Sequence, residues 1–430
     1  MHAIALSRWE MPSSESYTMS PLKRPSGDLT QKRDLRKRMP LWAATPRVGV
    51  VTRKAAGLGH YDVVVVGAGI SGALMAHALM DQSLKVLVID RRTPVRGSTM
   101  ASTAMIQHEI DVPLHRLADM KGEGVAGRIW QRSARAVEDL ALMAAQLDLR
   151  CSFERKRTLF LAGDAYGSRA LATEAEARRK AGLSVDYLDA ATLLDRHGIE
   201  RTAALDSPVS ASANPAQLTA ALLRLARLRG VEMVAGVEIT DLRGEDDVIL
   251  ATGDGQLISA GDVVFCTGYE FLKPLASKNH SLVSTWALAS RARLKRPAWI
   301  DSYLVWEGSD PYLYFRSTYD GRVIVGGEDE TADAAFQSEP KGKAKTKILV
   351  EKLGDLTGMV IGEPDFAWSA AFGTTADGLP MIGRVPGFTH VYAAMGHGGN
   401  GITFSKIAAD LISSEILGRP DPDFTLFPFH

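Results

Sequence analysis

The segment from Tyr61 to Asp90 constrains the fold more than any other part of the chain. Asp62-Val63-Val64-Val65-Val66 is a continuous apolar run, the pattern of a strand buried on both faces of a parallel sheet. It leads into Gly67-Ala68-Gly69-Ile70-Ser71-Gly72. Gly67 permits a tight turn, Gly69 lets a pyrophosphate approach the backbone, and Gly72 lets the next helix pack close on the strand. That helix, from Ile70 to about Met80, aims unpaired N–H groups at the phosphates. A second strand, Lys85 to Ile89, ends in Asp90, eighteen residues after Gly72. A carboxylate there accepts both ribose hydroxyls of an adenosine and repels a 2′-phosphate, which disfavours NADP. A glycine triad alone says little. Strand, triad, helix, strand and acidic end in this order predict a dinucleotide site, without separating FAD from NAD. Tyr61 to Met80 is also apolar enough to be weighed as a membrane span. Gly67, Gly69 and Gly72 break it, and a span needs one continuous helix of about 20 residues.

Composition narrows the remaining classes. The 430 residues suffice for about two or three domains. Lys+Arg and Asp+Glu both number 50, which makes nucleic acid an unlikely partner for the chain as a whole. Cys151 and Cys266 are too few for a disulfide scaffold or a cysteine-based zinc site, and they suit a reducing compartment. The first twenty residues lack a secretory signal's apolar core, so a cytoplasmic location is expected. Charge is uneven along the chain. Residues 1–60 hold eleven basic side chains and four acids, hence +7 against −7 for the remainder. With weak periodicity and five prolines, residues 1–58 read as a basic, solvated and partly disordered arm. The other readings of the arm are an anionic-surface or nucleic-acid contact, an organelle-targeting peptide, and packing through Trp9 and Trp42.

Later motifs favour a flavin. Arg91 and Arg92 follow Asp90, and then comes a small hydroxyl-rich loop of Gly97, Ser98, Thr99, Met100, Ala101, Ser102, Thr103 and Ala104. The loop leaves room beside a bulky ring and offers donors. Asp262 to Phe265 reads as a strand ending in Cys266, Thr267 and Gly268. Near the C-terminus, Gly396-His397-Gly398-Gly399-Asn400-Gly401-Ile402-Thr403 opens a helix running to about Leu417. Its positive end can stabilise charge that develops on a reduced flavin. A plain nicotinamide dehydrogenase has no need of it.

With these motifs the chain resembles the D-amino acid oxidase (glycine and sarcosine oxidase) family of FAD-dependent oxidoreductases. The resemblance rests on GAGISG at 67–72 with Asp90, GSTMASTA at 97–104, CTG at 266–268, TADGLPMIG at 375–383 and GHGGNGITFS at 396–405, and it covers about residues 60 to 425. It implies an α/β fold, α+β overall. A discontinuous Rossmann-like FAD domain would take residues 59–118, 200–280 and 374–430. An inserted substrate domain on a mostly antiparallel sheet would take 119–199 and 281–373. It also implies that a residue near Val237 touches adenine through its backbone. Strands are expected at Leu159–Ala162, Tyr303–Trp306, Tyr312–Arg316 and Arg322–Val325, and a helix at about 216–229. Lys341 to Lys347 reads as a solvated loop or helix start and no site.

The resemblance further implies hydride transfer to FAD from a carbon bearing an amine nitrogen of a small amine or amino acid. The imine product then hydrolyses, and electrons pass to oxygen or to a quinone or other carrier. One branch of the family is joined to tRNA-modifying machinery, which gives a minor RNA-linked reading. No Ser–His–Asp or metal pattern is recognisable. Family members often carry an arginine that grips the substrate carboxylate in the strand before the T-x-D-G-x-P motif, but Trp368 to Thr375 contains none. Arg316, beside Tyr312 and Tyr314, is the expected substitute clamp; otherwise it is structural. The two tyrosines share a face if their strand is regular. His397 is expected beside the ring, and Gln107, His108 or Glu109 beside the substrate. Cys266 is expected to pack at a strand end. Non-covalent attachment of FAD is expected, with His108, His115 and His397 as the nearby nucleophiles.

Overall fold

The computed structural model describes residues 29–57, 59–244, 247–270, 272–273 and 280–429. Two sheets organise them. The smaller runs in the order Met381–Arg384, Val391–Met395, Leu257–Phe265, His60–Val66, Val86–Asp90, Glu232–Ala235. Its four inner pairings, from Val391–Met395 to Glu232–Ala235, are parallel. Val63, Val65, Val86 and Val88 face one core, shared with helices Ile70–Leu79, Pro215–Leu228 and Gly401–Ile416. Val64, Val66, Leu87 and Ile89 face a second core on the opposite side. This double burial explains why the first strand shows no polar alternation.

The larger sheet has ten strands. Phe366–Thr375, His280–Ala289, Val323–Glu330, Leu313–Ser317 and Tyr303–Glu307 are antiparallel neighbours in that order. Tyr303–Glu307 pairs in parallel with Glu154–Leu161, which continues antiparallel to Ala203–Ser212 and then Met105–Gln107. Helix Glu339–Thr357 lays Leu349, Leu353 and Leu356 on this sheet against Trp286, Leu288, Phe315 and Val325. Lys341 to Lys347 therefore belong to a helix, started by Ser338, whose Oγ accepts from Lys341 N at 3.4 Å.

The structure moves three of the expected boundaries. Met105–Gln107 and Ala203–Ser212, assigned to the nucleotide segments, are strands of the large antiparallel sheet. Helix Glu123–Gln146, assigned to the inserted domain, buries Ile129, Trp130, Val137 and Leu140 in the core beneath the parallel sheet. Periodicity identifies a strand or a helix, but not the partner that covers its apolar face.

The arm is the third correction. Its described part, residues 29–57, is packed rather than solvated. Arg36–Lys37 pairs with Ala370 and Ser369 at the edge of the large sheet, and Arg53 bridges to Val234 of the parallel sheet. Trp42 is 4% exposed and donates its indole N–H to Ser102 O at 2.6 Å. Leu35, Leu41 and Ala56 are buried with it. Trp9 and the rest of residues 1–28 lie outside the described residues. No helix among the described residues is long and apolar enough to cross a membrane.

Candidate active site

A cavity of about 570 Å³ runs between the two sheets, from Asp90 and Val237 to Tyr312 and His397. At its nucleotide end the glycines are required by sterics. Gly67 has φ +113, and an added Cβ would stand 2.3 Å from Cys266 O. At Gly72 a Cβ would stand 1.8 Å from Gly67 O, so only glycine lets the helix start this close to the strand. Gly67, Gly69, Ile70 and Ser71 line the cavity. Asp90 lines it too, held by Ala68 N on Oδ2 and Arg92 N on Oδ1, both at 2.7 Å. Burial pushes its pKa up against the pull of those two N–H groups. This concave backbone, ending in a fixed carboxylate, fits the pyrophosphate and ribose of a dinucleotide.

Around this cradle the other expected residues take defined positions. Arg92 forms a bidentate pair with Glu270 at 2.6 and 2.8 Å, and Arg91 pairs with the same carboxylate. Thr99 Oγ1 accepts from Ile70 N at 3.0 Å, and the Ser71 and Ser405 hydroxyls lie 2.7 Å apart. Gly97, Ser98, Ser102, Thr103, Thr267, Gly268, Gly398, Gly399, Gly401 and Ile402 line the cavity. Val237 lines it as well, but its N–H is already donated to Asp90 O at 3.2 Å. Cys266 is a buried thiol pushed up to about 12 by desolvation, as a packing residue should be.

The far end is aromatic and acidic. Tyr312 and Tyr314 line it with ring centroids 5.8 Å apart. Gly326 makes room for Tyr314, since a Cβ there would stand 2.3 Å from the phenol oxygen. Tyr312 donates its hydroxyl to Asp329 Oδ2 at 2.7 Å. Burial pushes Asp329 up to about 6, against the Thr285 and Tyr312 hydroxyls, and nearby Asp111 adds to the rise. Asp111 is also pushed up by burial while accepting from Gly399 N at 2.9 Å. His397 is 3% exposed and lines the cavity. Burial pulls its pKa down to about 4, so the ring is neutral at pH 7. Gln107 and Trp306 complete this end. Trp306 stacks on Phe160 at 3.7 Å and donates to Glu109 Oε2 at 3.0 Å.

Several expected residues stand elsewhere. Arg316 does not line the cavity and is not placed to clamp a substrate. It is 2% exposed, and its guanidinium donates to Thr103 O, Ser317 O and Ala213 O at 2.7, 3.0 and 3.0 Å, 5.6 Å from the Trp42 ring centroid. Strand alternation gives it the face of Tyr314, but one step further along, beyond the cavity. Ala68, Gly72, Ala104 and Asn400 also lie behind the lining. Asn400 ties the C-terminal loop to Glu109 O through its side-chain amide at 2.8 Å. His108 is buried against Val209 O at 2.7 Å, and Glu109 pairs with Arg178. Sequence reasoning missed Asp111 and Asp329. The available signal for Asp329 was Glu328-Asp329-Glu330 closing an apolar strand after two glycines. Asp111 carried none.

Comparison with known proteins identifies the family and the fold. The family described as FAD dependent oxidoreductase (DAO) matches residues 62–415. The crystal structure of glycine oxidase from Geobacillus kaustophilus superposes with a TM-score of 0.71 at 20% identity, over 87% of this chain and 99% of that one. Gamma-glutamylputrescine oxidoreductase of Escherichia coli (strain K12) is 22% identical over 367 residues, 83% of this chain and 84% of its own length. The tRNA 5-methylaminomethyl-2-thiouridine biosynthesis bifunctional protein MnmC of Burkholderia vietnamiensis is 24% identical over 412 residues. That match covers 84% of this chain but 57% of the bifunctional protein.

Proposed function

This chain belongs to the DAO family of FAD-dependent oxidoreductases, and we propose that it oxidises a carbon–nitrogen single bond of a small amine or amino acid to an imine, which water then hydrolyses. The observation that carries this reading is the continuity of one cavity, with a dinucleotide cradle at one end and a buried, polar-aromatic pocket at the other. Bound FAD supplies the electron sink for a hydride leaving the carbon that bears the nitrogen.

The protein's part is to hold, orient and exclude water. Gly67, Gly69, Ser71 and Asp90 would hold the dinucleotide, and the hydroxyl-rich loop and Gly398–Ile402 would flank the ring. Tyr312 and Tyr314 wall the pocket and keep it dry, which strengthens every electrostatic contact inside it. Asp329, fixed by Tyr312 and close to the Thr285 hydroxyl, would present its carboxylate as an acceptor for an amine N–H. Neutral His397 offers a second polar contact without adding charge. Glycine oxidase and gamma-glutamylputrescine oxidoreductase, among the relatives, act on such C–N substrates by their names, which supports the reaction class. The electron acceptor is oxygen or a carrier such as a quinone.

The test is twofold. Acid should release FAD from the purified yellow protein. Anaerobic mixing with a panel of amines and amino acids should bleach the flavin with at least one of them. Release of FMN, or bleaching by hydroxy acids alone, would overturn the reading.

A further inference from the structure

We infer that the substrate of this site is a cationic amine with no carboxylate on the carbon that bears its reacting nitrogen. The inference rests on the reaction class proposed above and deepens it.

The charges around the cavity are one-sided. Among the described residues that line it, the only cations are Arg91 and Arg92, both closed on Glu270 at the nucleotide end. At the opposite end Asp111, Glu307, Asp310, Asp329 and Glu330 line the wall, and no described lysine or arginine does. Two of these acids are neutralised from behind. Glu330 pairs with Lys341 at 2.6 Å and Lys345 at 3.2 Å, and Glu307 with Arg201 at 3.4 Å. Among the described residues Asp111 and Asp329 have no such ion pair; burial raises the cost of ionising both, and Asp111 adds to it at Asp329. Buried carboxylates are ordinarily matched by a cation. Among the described residues only Lys345 acts on Asp329, without pairing with it, so a cationic ligand would supply the matching charge.

Independent of charge, unmet hydrogen-bonding capacity points the same way. Among the described residues, Gln107 Oε1 and His397 Nε2 are buried without a hydrogen bond, and Asp329 Oδ1 has none of ordinary geometry, with only the Thr285 hydroxyl close to that carboxylate. An ammonium carries N–H donors that such acceptors lack and a positive charge that the aspartates lack. A substrate carboxylate brings neither. The Tyr312 hydroxyl is already given to Asp329, and the Arg316 guanidinium is spent on three backbone carbonyls. The faces of Tyr312, Tyr314 and Trp306 add a surface that favours cations.

The experiment uses ligands that cannot be oxidised at the carbon bearing nitrogen, so that it reads binding alone. Purified holoenzyme is titrated with tert-butylamine, 2-aminoisobutyrate and pivalate, following the perturbation of the flavin's visible spectrum. The expected result is tert-butylamine binding about tenfold or more tighter than 2-aminoisobutyrate, with pivalate weakest. Asp329→Asn should weaken tert-butylamine by about tenfold at unchanged FAD content, and Asp111→Asn should weaken it by a similar factor in the fraction that retains FAD. Tighter binding of 2-aminoisobutyrate or pivalate, or unchanged tert-butylamine affinity in both variants, overturns the inference. Tight tert-butylamine binding in a protein that no amine bleaches would instead remove the reaction class, and with it the amine's role as substrate, while leaving a cation-binding pocket.

Discussion

Asp90 shows how much one side chain can carry. It organises the turn through Ala68 N and Arg92 N while facing the cavity. Asp90→Ala should weaken FAD binding by about tenfold or more, since charge-assisted bonds are worth about 1.5–3 kcal/mol each. Equilibrium dialysis of FAD against the apoprotein measures this, and wild-type affinity in the variant would exclude Asp90 as the ribose ligand. Arg316 predicts the opposite signature. Arg316→Ala strands three buried carbonyls at a cost of about 2–5 kcal/mol. Thermal unfolding should therefore shift down, while the folded enzyme keeps its KM for amines; a raised KM with normal stability would return Arg316 to the site. Asp329 sets a pH dependence. Its pKa is raised to about 6, above the ordinary aspartate value, so the carboxylate is lost as pH falls through about 6. In kcat/KM for an amine, activity should decline on that acid limb, and Asp329→Asn should flatten it. Spacing in the sequence made Asp90 legible, because the strand–turn–helix unit fixes its place. Parity put Arg316 on a face but said nothing of depth, which is why the sequence leaves both the clamp and the structural reading open.

The turn between strand His60–Val66 and helix Ile70–Leu79 is the element on which the cofactor depends. Gly72→Ala would drive a methyl group to 1.8 Å from Gly67 O. The helix must then move off the sheet, and the protein should be recovered without FAD or as aggregate. Gly124→Ala, away from the cavity, meets nothing within 4 Å and should keep its flavin. The flavin-to-protein absorbance ratio of the two variants decides the point, and equal ratios would refute the steric argument. This unit was readable from sequence because every local signal agreed. The sheet that receives Ala203–Ser212 was not readable. A strand's own alternation is the same whether it joins the parallel or the antiparallel sheet, and only its pairing with Glu154–Leu161 decides. Asp329 escaped for a related reason. A carboxylate at a strand end reads as solvent-facing until the neighbouring strand brings Tyr312 over it.

At the scale of the whole molecule, residues 29–57 tie the two sheets together across the cavity. Arg53 bridges to the parallel sheet, Arg36–Lys37 pairs with the antiparallel one, and Thr30 and Leu35 reach the cavity wall. Leu41 and Trp42 pack with Ala287, Ala289 and Trp368, so this segment is part of the core. A chain lacking residues 1–57 should lose FAD faster and unfold at lower temperature than one lacking residues 1–28. Identical flavin retention in the two would return the segment to the role of a dispensable arm. The central claim is that this cavity oxidises a carbon–nitrogen bond with FAD. The most direct measurement is a single anaerobic turnover of the holoenzyme with a primary amine, in which reduced flavin, carbonyl product and ammonia are counted together. The account predicts that the three appear in equal amounts. Flavin reduction without carbonyl and ammonia, or none with any amine or amino acid, would contradict it.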